Sequence, residues 1–182
     1  VWYYPSGQIE QESSYQDGKE HGPEIWWHES GVRAGQSEYK DGVLDGPTVQ
    51  WYLDGKQMEF QASLQNGKQQ GLELWWHPNG KKKSVTSYVN GDRQGKAEGW
   101  FKDGTLAWEA NWKNDAPHGK YSEWYESGQP KSEKHLEMGV EEGQETWWYE
   151  HGQKSWEVTW KEGRMTGMLV EWYENGKMMS ET

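Results

Sequence analysis

The chain has 182 residues, with 19 Lys or Arg against 30 Asp or Glu, and its formal net charge is -11. This acidic balance argues against nonspecific binding to nucleic acid and against attraction to anionic membrane surfaces, since both need clusters of basic residues. The absence of Cys excludes disulfides, thiolate catalysis and Cys-ligated zinc.

A repeat of 24 residues runs along the whole chain. A glycine that follows a large aromatic residue by four positions occurs eight times, and every step between these glycines is 24 residues except one of 25. The glycines are Gly7, Gly31, Gly55, Gly80, Gly104, Gly128, Gly152 and Gly176. A second turn, such as Asp41-Gly42, follows in each of the first seven copies, and a third glycine closes each of them. This spacing predicts a single repeat array over residues 1–182.

Each repeat is predicted to be a β-hairpin. The first strand ends in an aromatic pair such as Trp27-His28, a turn follows at Glu29-Ser30-Gly31, and the second strand runs to Tyr39 before the Asp41-Gly42 turn. Asp-Gly and Asn-Gly supply the positive φ angles of tight turns, and the aromatic and β-branched residues between turns favour strands. In the fifth repeat Asn114-Asp115 takes the turn position, and both residue types tolerate positive φ.

No stretch of the chain shows helical periodicity. The predicted fold is all-β, an elongated, curved, single antiparallel sheet of about seven and a half hairpins of 24 residues. The extra residue of the 25-residue step is expected near Ala62-Ser63-Leu64, as a β-bulge in the second strand.

An aromatic residue is present at one position of every repeat, and we predict that it packs as a column. Its members are Tyr3, Trp27, Trp51, Trp76, Trp100, Trp124, Trp148 and Trp172. The next residue is mostly Tyr or His, and strand neighbours point to opposite faces, so both faces are expected to carry an aromatic column. With the Trp column on the buried side, Trp124→Ala should cost about 3–5 kcal/mol. Replacing Glu123, taken as a surface residue, should cost well under ~1 kcal/mol.

These segments resemble the MORN repeat in its bacterial variant. The resemblance is carried by Trp124-Tyr125-Glu126-Ser127-Gly128-Gln129, by Lys161-Glu162-Gly163 followed by Gly167, and by Trp172-Tyr173-Glu174-Asn175-Gly176-Lys177. It implies a kinship with antitoxin-like and immunity-like proteins. Eukaryotic relatives imply a scaffold associated with phospholipid membranes.

No catalytic constellation is found in the sequence. There is no Gly-x-Ser-x-Gly elbow and no phosphate-binding loop, and no pair of the six His has the spacing of metal ligands. We therefore expect a protein that is not an enzyme and that uses no cofactor and no metal.

Some aromatic residues are optional for the repeat. The position before the invariant aromatic holds Trp2, Trp26, Gln50, Trp75, Gly99, Glu123, Trp147 and Glu171. A second optional set is Trp108, Trp112, Trp156 and Trp160. Trp side chains on a rigid scaffold are typical anchors of protein interfaces, but lateral packing of neighbouring rings explains them equally well, and both interpretations stay open.

The acidic excess grows along the chain, because residues 1–91 carry 8 basic and 12 acidic side chains and residues 92–182 carry 11 and 18. A solvated acidic surface explains this gradient, and an electrostatic docking face for a basic partner is the alternative. Together with the resemblance, which implies a toxin or effector as the partner, the gradient places the predicted contact in the C-terminal half. The predicted contacts are the anchors Trp147, Tyr149 and Trp156, the rim residues Glu141, Glu142 and Glu145, and, less strongly, Trp26 and Trp75.

Two other functions compete with this one, a membrane-associated scaffold and a carbohydrate-binding surface. The net charge of -11 speaks against direct lipid binding. The chain begins at Val1 without an initiator Met, which slightly favours the bacterial periplasm or envelope over the cytoplasm.

Overall fold

The computed structural model describes every residue from Val1 to Thr182. It contains 21 β-strands and no helix, and so no helix that could cross a membrane. The chain divides into two compact units, the N-terminal unit Val1–Asp92 and the C-terminal unit Arg93–Thr182, which are described separately. That all repeats form one array stays a prediction.

The N-terminal unit is an antiparallel sheet. Its strands are β1 (Trp2–Tyr3), β2 (Ile9–Gln16), β3 (Lys19–Trp27), β4 (Arg33–Lys40), β5 (Val43–Leu44), β6 (Gly46–Trp51), β7 (Met58–Gln65), β8 (Lys68–Gln69), β9 (Gly71–Trp76) and β10 (Lys82–Val89). The long strands pair in the order β1-β2-β3-β4-β6-β7-β9-β10, and the short strands β5 and β8 extend the hairpins of β4 and β7.

The C-terminal unit repeats this plan. Its strands are β11 (Asp92–Trp100), β12 (Leu106–Lys113), β13 (Ala116–Pro117), β14 (Gly119–Trp124), β15 (Pro130–Glu137), β16 (Val140–Glu141), β17 (Gly143–Trp148), β18 (Lys154–Lys161), β19 (Arg164–Met165), β20 (Val170–Trp172) and β21 (Met178–Glu181). The long strands pair antiparallel in the order β11-β12-β14-β15-β17-β18-β20-β21. The predicted all-β class and the antiparallel hairpin repeats are confirmed.

The two-residue turns are those that the sequence predicts. Asp41 and Gly42 both have positive φ, 53° and 84°, as a type I′ hairpin turn requires. Asn114 and Asp115 have φ values of 50° and 63°, so this turn also forms without glycine.

The extra residue of the third repeat is not in a strand. Trp51 pairs with Met58, seven positions on, whereas Trp27 pairs with Arg33, six positions on. The added residue therefore lengthens the turn, and the Tyr52 backbone N–H donates to the Gln57 carbonyl across it. The predicted bulge near Ala62 is wrong, because β7 pairs there without irregularity. The register shift instead recurs next to the invariant aromatic, as between Trp26 and Trp27 or Trp147 and Trp148.

Strand alternation separates two faces in each unit. The column face carries the invariant aromatic residues of the β-strands, and the slot face carries the residue before each of them, such as Trp147. The most buried apolar side chains lie mainly on the slot face: Ala62, Ala97, Ala110, Leu136 and Val158, all at most 6% exposed. The Trp residues of the column are half-buried. We expected the invariant aromatic column to lie on the buried side of the sheet. This expectation is wrong for most of the core, because most of the buried apolar side chains lie on the slot face.

The column face of the C-terminal unit is charged between its aromatic rings. The ammonium nitrogen of Lys96 lies 2.9 Å from a carboxylate oxygen of Glu98 and 3.2 Å from one of Glu109. The ammonium nitrogen of Lys120 lies 2.9 Å from a carboxylate oxygen of Glu133. The slot face of the same unit carries charged residues such as Lys134 and Glu141 beside aromatic and aliphatic side chains such as Trp112, Leu136 and Trp147.

Candidate binding surface

A first cavity of about 270 Å³ opens on the slot face of the C-terminal unit. Strands β12, β14, β15 and β17 contribute residues to it, since every second side chain of a strand points to the same face, and Pro117 of β13 adds one more. It is lined by Ala110, Trp112, Pro117, Tyr121, Glu123, Ser132, Lys134, Leu136 and Trp147. The lining combines three aromatic rings with aliphatic and small side chains and with the charged residues Glu123 and Lys134.

A second cavity of about 200 Å³ lies further along the same face of this unit. Its residues come from β18, β19, β20 and the segment before β20. It is lined by Trp156, Val158, Trp160, Met165, Leu169 and Glu171. This cavity is also predominantly apolar.

A stacked pair of tryptophans separates the two cavities. The rings of Trp147 and Trp156 have centroids 5.6 Å apart and planes inclined by 20°. Trp147 lines the first cavity and Trp156 lines the second. The two residues are directly opposite each other in the pairing of β17 with β18, so the register of the hairpin creates the stack.

Glu145 holds the aromatic rings in place. Its two carboxylate oxygens accept hydrogen bonds from Nε1 of Trp147 at 2.9 Å and Nε1 of Trp160 at 2.8 Å. Glu145 is only 7% exposed. The prediction that Glu145 lies on the rim is therefore wrong, because its carboxylate is buried and is bound by two indole groups.

Glu123 is also held by partners at the first cavity. The Tyr121 hydroxyl donates to it at 2.7 Å, and the Lys131 ammonium lies 3.1 Å away. Burial alone would raise the pKa of Glu123, but the hydrogen bonds from Tyr121 and Lys131 outweigh burial and lower it. Burial and the same carboxylate raise the pKa of Tyr121. Glu123, which was expected to be a surface residue, is half-buried and has two partners.

The remaining predicted contacts of this unit are not on one patch. Glu141 faces the slot side and pairs with Lys134 at 3.6 Å, near the first cavity. The Glu142 carboxylate accepts the Glu162 backbone N–H at 2.8 Å and ties one turn to the next. Tyr149 lies in a turn and its hydroxyl donates to the Trp172 carbonyl at 2.9 Å. Glu142 and Tyr149 therefore stabilise the repeats.

The Tyr149 contact recurs along the chain. Tyr4, Tyr52 and Tyr125 each donate to the backbone carbonyl of the Trp that ends the first strand of the next repeat, at 2.6–2.8 Å. These tyrosines lie in turns, so the predicted second column of Tyr and His on the opposite strand face is wrong. The opposite face carries the optional tryptophans instead.

In the N-terminal unit the predicted contacts Trp26 and Trp75 pack laterally. The Trp26 ring lies over Gly35, where an added Cβ would be 2.1 Å from Cζ2 of the ring. Trp75 donates to Glu73 at 3.0 Å and its ring centroid is 4.6 Å from that of Phe60. Lateral packing of neighbouring rings, one of the two interpretations left open by the sequence, accounts for Trp75, whereas Trp26 packs on a glycine.

The sequence prediction missed Trp112, Tyr121 and Leu136 as cavity residues. Tyr121 lies two positions before Glu123 and so on the same face, a relation that strand alternation could have revealed. Their convergence on one cavity depends on the register between β12, β14 and β15, which the sequence does not show.

The carboxylates of the chain do not cluster for metal binding. No group of three or more His, Cys, Asp or Glu side chains is placed to hold an ion.

Comparison with known proteins agrees with the repeat architecture. No curated protein matches the chain significantly. The family model described as the MORN repeat variant matches residues 1–17, 20–41, 69–90, 117–137 and 165–182, which is more than half of the chain. Such repeats are found in proteins involved in binding, and the chain belongs to the MORN repeat variant family.

Proposed function

We propose that the chain is a non-enzymatic binding protein of the antitoxin or immunity type, which neutralises a basic toxin or effector by holding it on the slot face of the C-terminal unit. The observation that carries this proposal is the pair of apolar cavities divided by the Trp147–Trp156 stack. The antitoxin or immunity role comes from the resemblance noted in the sequence.

The rings of this surface are well suited to act as anchors. Trp and Tyr bury a large area with few rotatable bonds and are enriched among the residues that dominate binding energies. Glu145 already satisfies the indole N–H groups of Trp147 and Trp160. Because these rings are fixed before binding, little side-chain entropy is lost when a partner covers them.

The charge of the C-terminal half supports a basic partner. Residues 92–182 carry 18 acidic and 11 basic side chains. Such an excess attracts a positively charged protein at long range and raises its association rate, an effect that salt weakens.

The proposal is tested by co-expressing the chain with the product of the gene next to its own and measuring growth. We expect the wild-type chain to restore growth and Trp147→Ala to fail, with a loss in affinity of about 2 kcal/mol or more. Trp75→Ala is the matched control, because Trp75 occupies the same repeat position and also donates to a Glu. A toxic neighbour that the chain does not bind, or equal effects of the two variants, would contradict the proposal.

The competing functions have their own readouts. A membrane scaffold should float with anionic liposomes, and a carbohydrate-binding surface should retain ligands on a glycan array. Binding in either assay that depends on Trp147 would replace the proposed partner class by another.

A further inference from the structure

We infer that the slot face of the C-terminal unit binds an extended segment of its partner, which crosses the strands and places uncharged apolar side chains, four residues apart, in the two cavities. This inference rests on the proposed function and specifies the partner's recognition element.

The spacing of the cavities carries the inference. The first is centred between β14 and β15 and the second between β18 and β20, which is three strand steps further in the pairing order. At roughly 4.8 Å per strand this separation is about 14 Å. An extended chain advances about 3.4 Å per residue, so residues i and i+4 are also about 14 Å apart and face the same side.

The residue between these two anchors meets the dividing wall. Residue i+2 of the same segment would lie over the stacked rings of Trp147 and Trp156. A small residue there would let the two anchors enter, because the stack occupies the space between the cavities.

The chemistry of the cavities selects uncharged anchors. The charged groups at the first cavity already have partners. Tyr121 and Lys131 bind Glu123, and Glu141 pairs with Lys134. In the second cavity Glu171 accepts the Ser180 hydroxyl at 2.6 Å. Volumes of about 270 and 200 Å³ are below the roughly 300–1,000 Å³ of small-molecule pockets and suit one large side chain each.

The negative charge of the C-terminal unit favours basic residues on either side of the two anchors. Residues i+1 and i+3 point away from the sheet, and the residues beyond the anchors pass over a unit with an acidic excess. Basic residues at the flanks are therefore complementary to it.

The test uses fluorescein-labelled peptides with Lys at both ends and two Phe in a Ser and Thr background. The Phe residues are placed three, four or five positions apart, and binding to the whole chain is followed by fluorescence anisotropy. The peptide with a spacing of four should bind at least about 10-fold more tightly than the other two, because odd spacings turn one Phe away from the sheet.

Variants of the chain locate the contacts. Met165→Trp covers the second cavity, and Met168→Trp is its control, since both Met are more than half exposed and neither change should unfold the protein. Ala110→Leu adds bulk to the lining of the first cavity, and Ala62→Leu at the same repeat position is its control. Met165→Trp and Ala110→Leu should reduce binding to the level of a peptide with one Phe, while the controls should not.

Two results would overturn the inference. Equal affinities for all spacings, or equal effects of Met165→Trp and Met168→Trp, would show that the two cavities are not used together. If the adjacent gene's product still binds through Trp147, the proposed function stands and only the extended segment is wrong. If that product does not bind either, both fall.

Discussion

The two units place the same kind of residue at the same repeat position and give it different neighbours. In the N-terminal unit Glu73 accepts hydrogen bonds from Trp75 and from the Gln69 amide, and Trp75 is tilted against Phe60. Three repeats later Glu145 accepts from two indoles, and Trp147 is stacked on Trp156. The position in the repeat therefore determines the face on which a side chain lies. The residue on the adjacent strand determines whether the Trp ring only covers the sheet or also lines a cavity.

The largest expected effect tests the tryptophan rings that pack against glycine. An added Cβ at Gly35 would be 2.1 Å from the Trp26 ring and 2.8 Å from the Val49 carbonyl oxygen, whereas at Gly99 the close atoms all belong to the Trp108 side chain. Gly35→Ala should therefore cost about 3 kcal/mol and Gly99→Ala nearer to about 1 kcal/mol, because a side chain yields more easily than backbone. Urea unfolding of both variants measures this, and a larger loss for Gly99→Ala would contradict it.

The second prediction compares Glu145, which is buried, with Glu73, which is half-buried, through the same conservative change. In Glu145→Gln the amide offers one acceptor, and its NH₂ group then faces an indole N–H that cannot accept. In Glu73→Gln the new NH₂ can meet Gln69, whose own amide can turn to present its oxygen. We expect Glu145→Gln to lose about 1–3 kcal/mol more than Glu73→Gln, the cost of an unsatisfied buried donor.

Calorimetric melting of both variants provides the measurement for this comparison. Trp fluorescence is a second readout, since the Trp147–Trp156 stack should loosen only in Glu145→Gln. Equal melting temperatures would mean that Glu145 does not position the rings.

Much of the fold was predictable because turns are local. Asp41-Gly42 and its equivalents prescribe positive φ from two residues alone, and Asn114-Asp115 follows the same rule. The position of the extra residue in the 25-residue step was predicted wrongly, because a longer turn and a bulged strand add the same number of residues to the repeat. Only the pairing of Trp51 with Met58 distinguishes the two.

The candidate site was less predictable because it depends on cross-strand register. Alternation places Trp147 on the face opposite Trp148, but its stacking on Trp156 requires the pairing of β17 with β18. Glu145 is buried because the rings of Trp147 and Trp160, from two neighbouring strands, both contact it. The sequence suggests an exposed residue at this position, since charged side chains are rarely buried unless they have partners.

The smallest expected effect concerns Glu123, whose counterpart in the N-terminal unit is Gln50, so Glu123→Gln exchanges one unit's residue for the other's. Hydrogen bonds from Tyr121 and Lys131 lower the Glu123 pKa below its ordinary 4.5 despite burial. A lowered folded-state pKa stabilises the protein above the unfolded-state pKa, and this contribution is lost as the pH falls through the folded value. Wild type should therefore lose more stability than Glu123→Gln on acidification below pH 4.5, by about 1 kcal/mol or less because the side chain is 26% exposed.

Denaturant unfolding across this pH range measures the difference, with Glu126→Gln in an exposed turn as the control. Parallel pH profiles for wild type and Glu123→Gln would show that the Tyr121–Glu123–Lys131 contacts do not persist in solution.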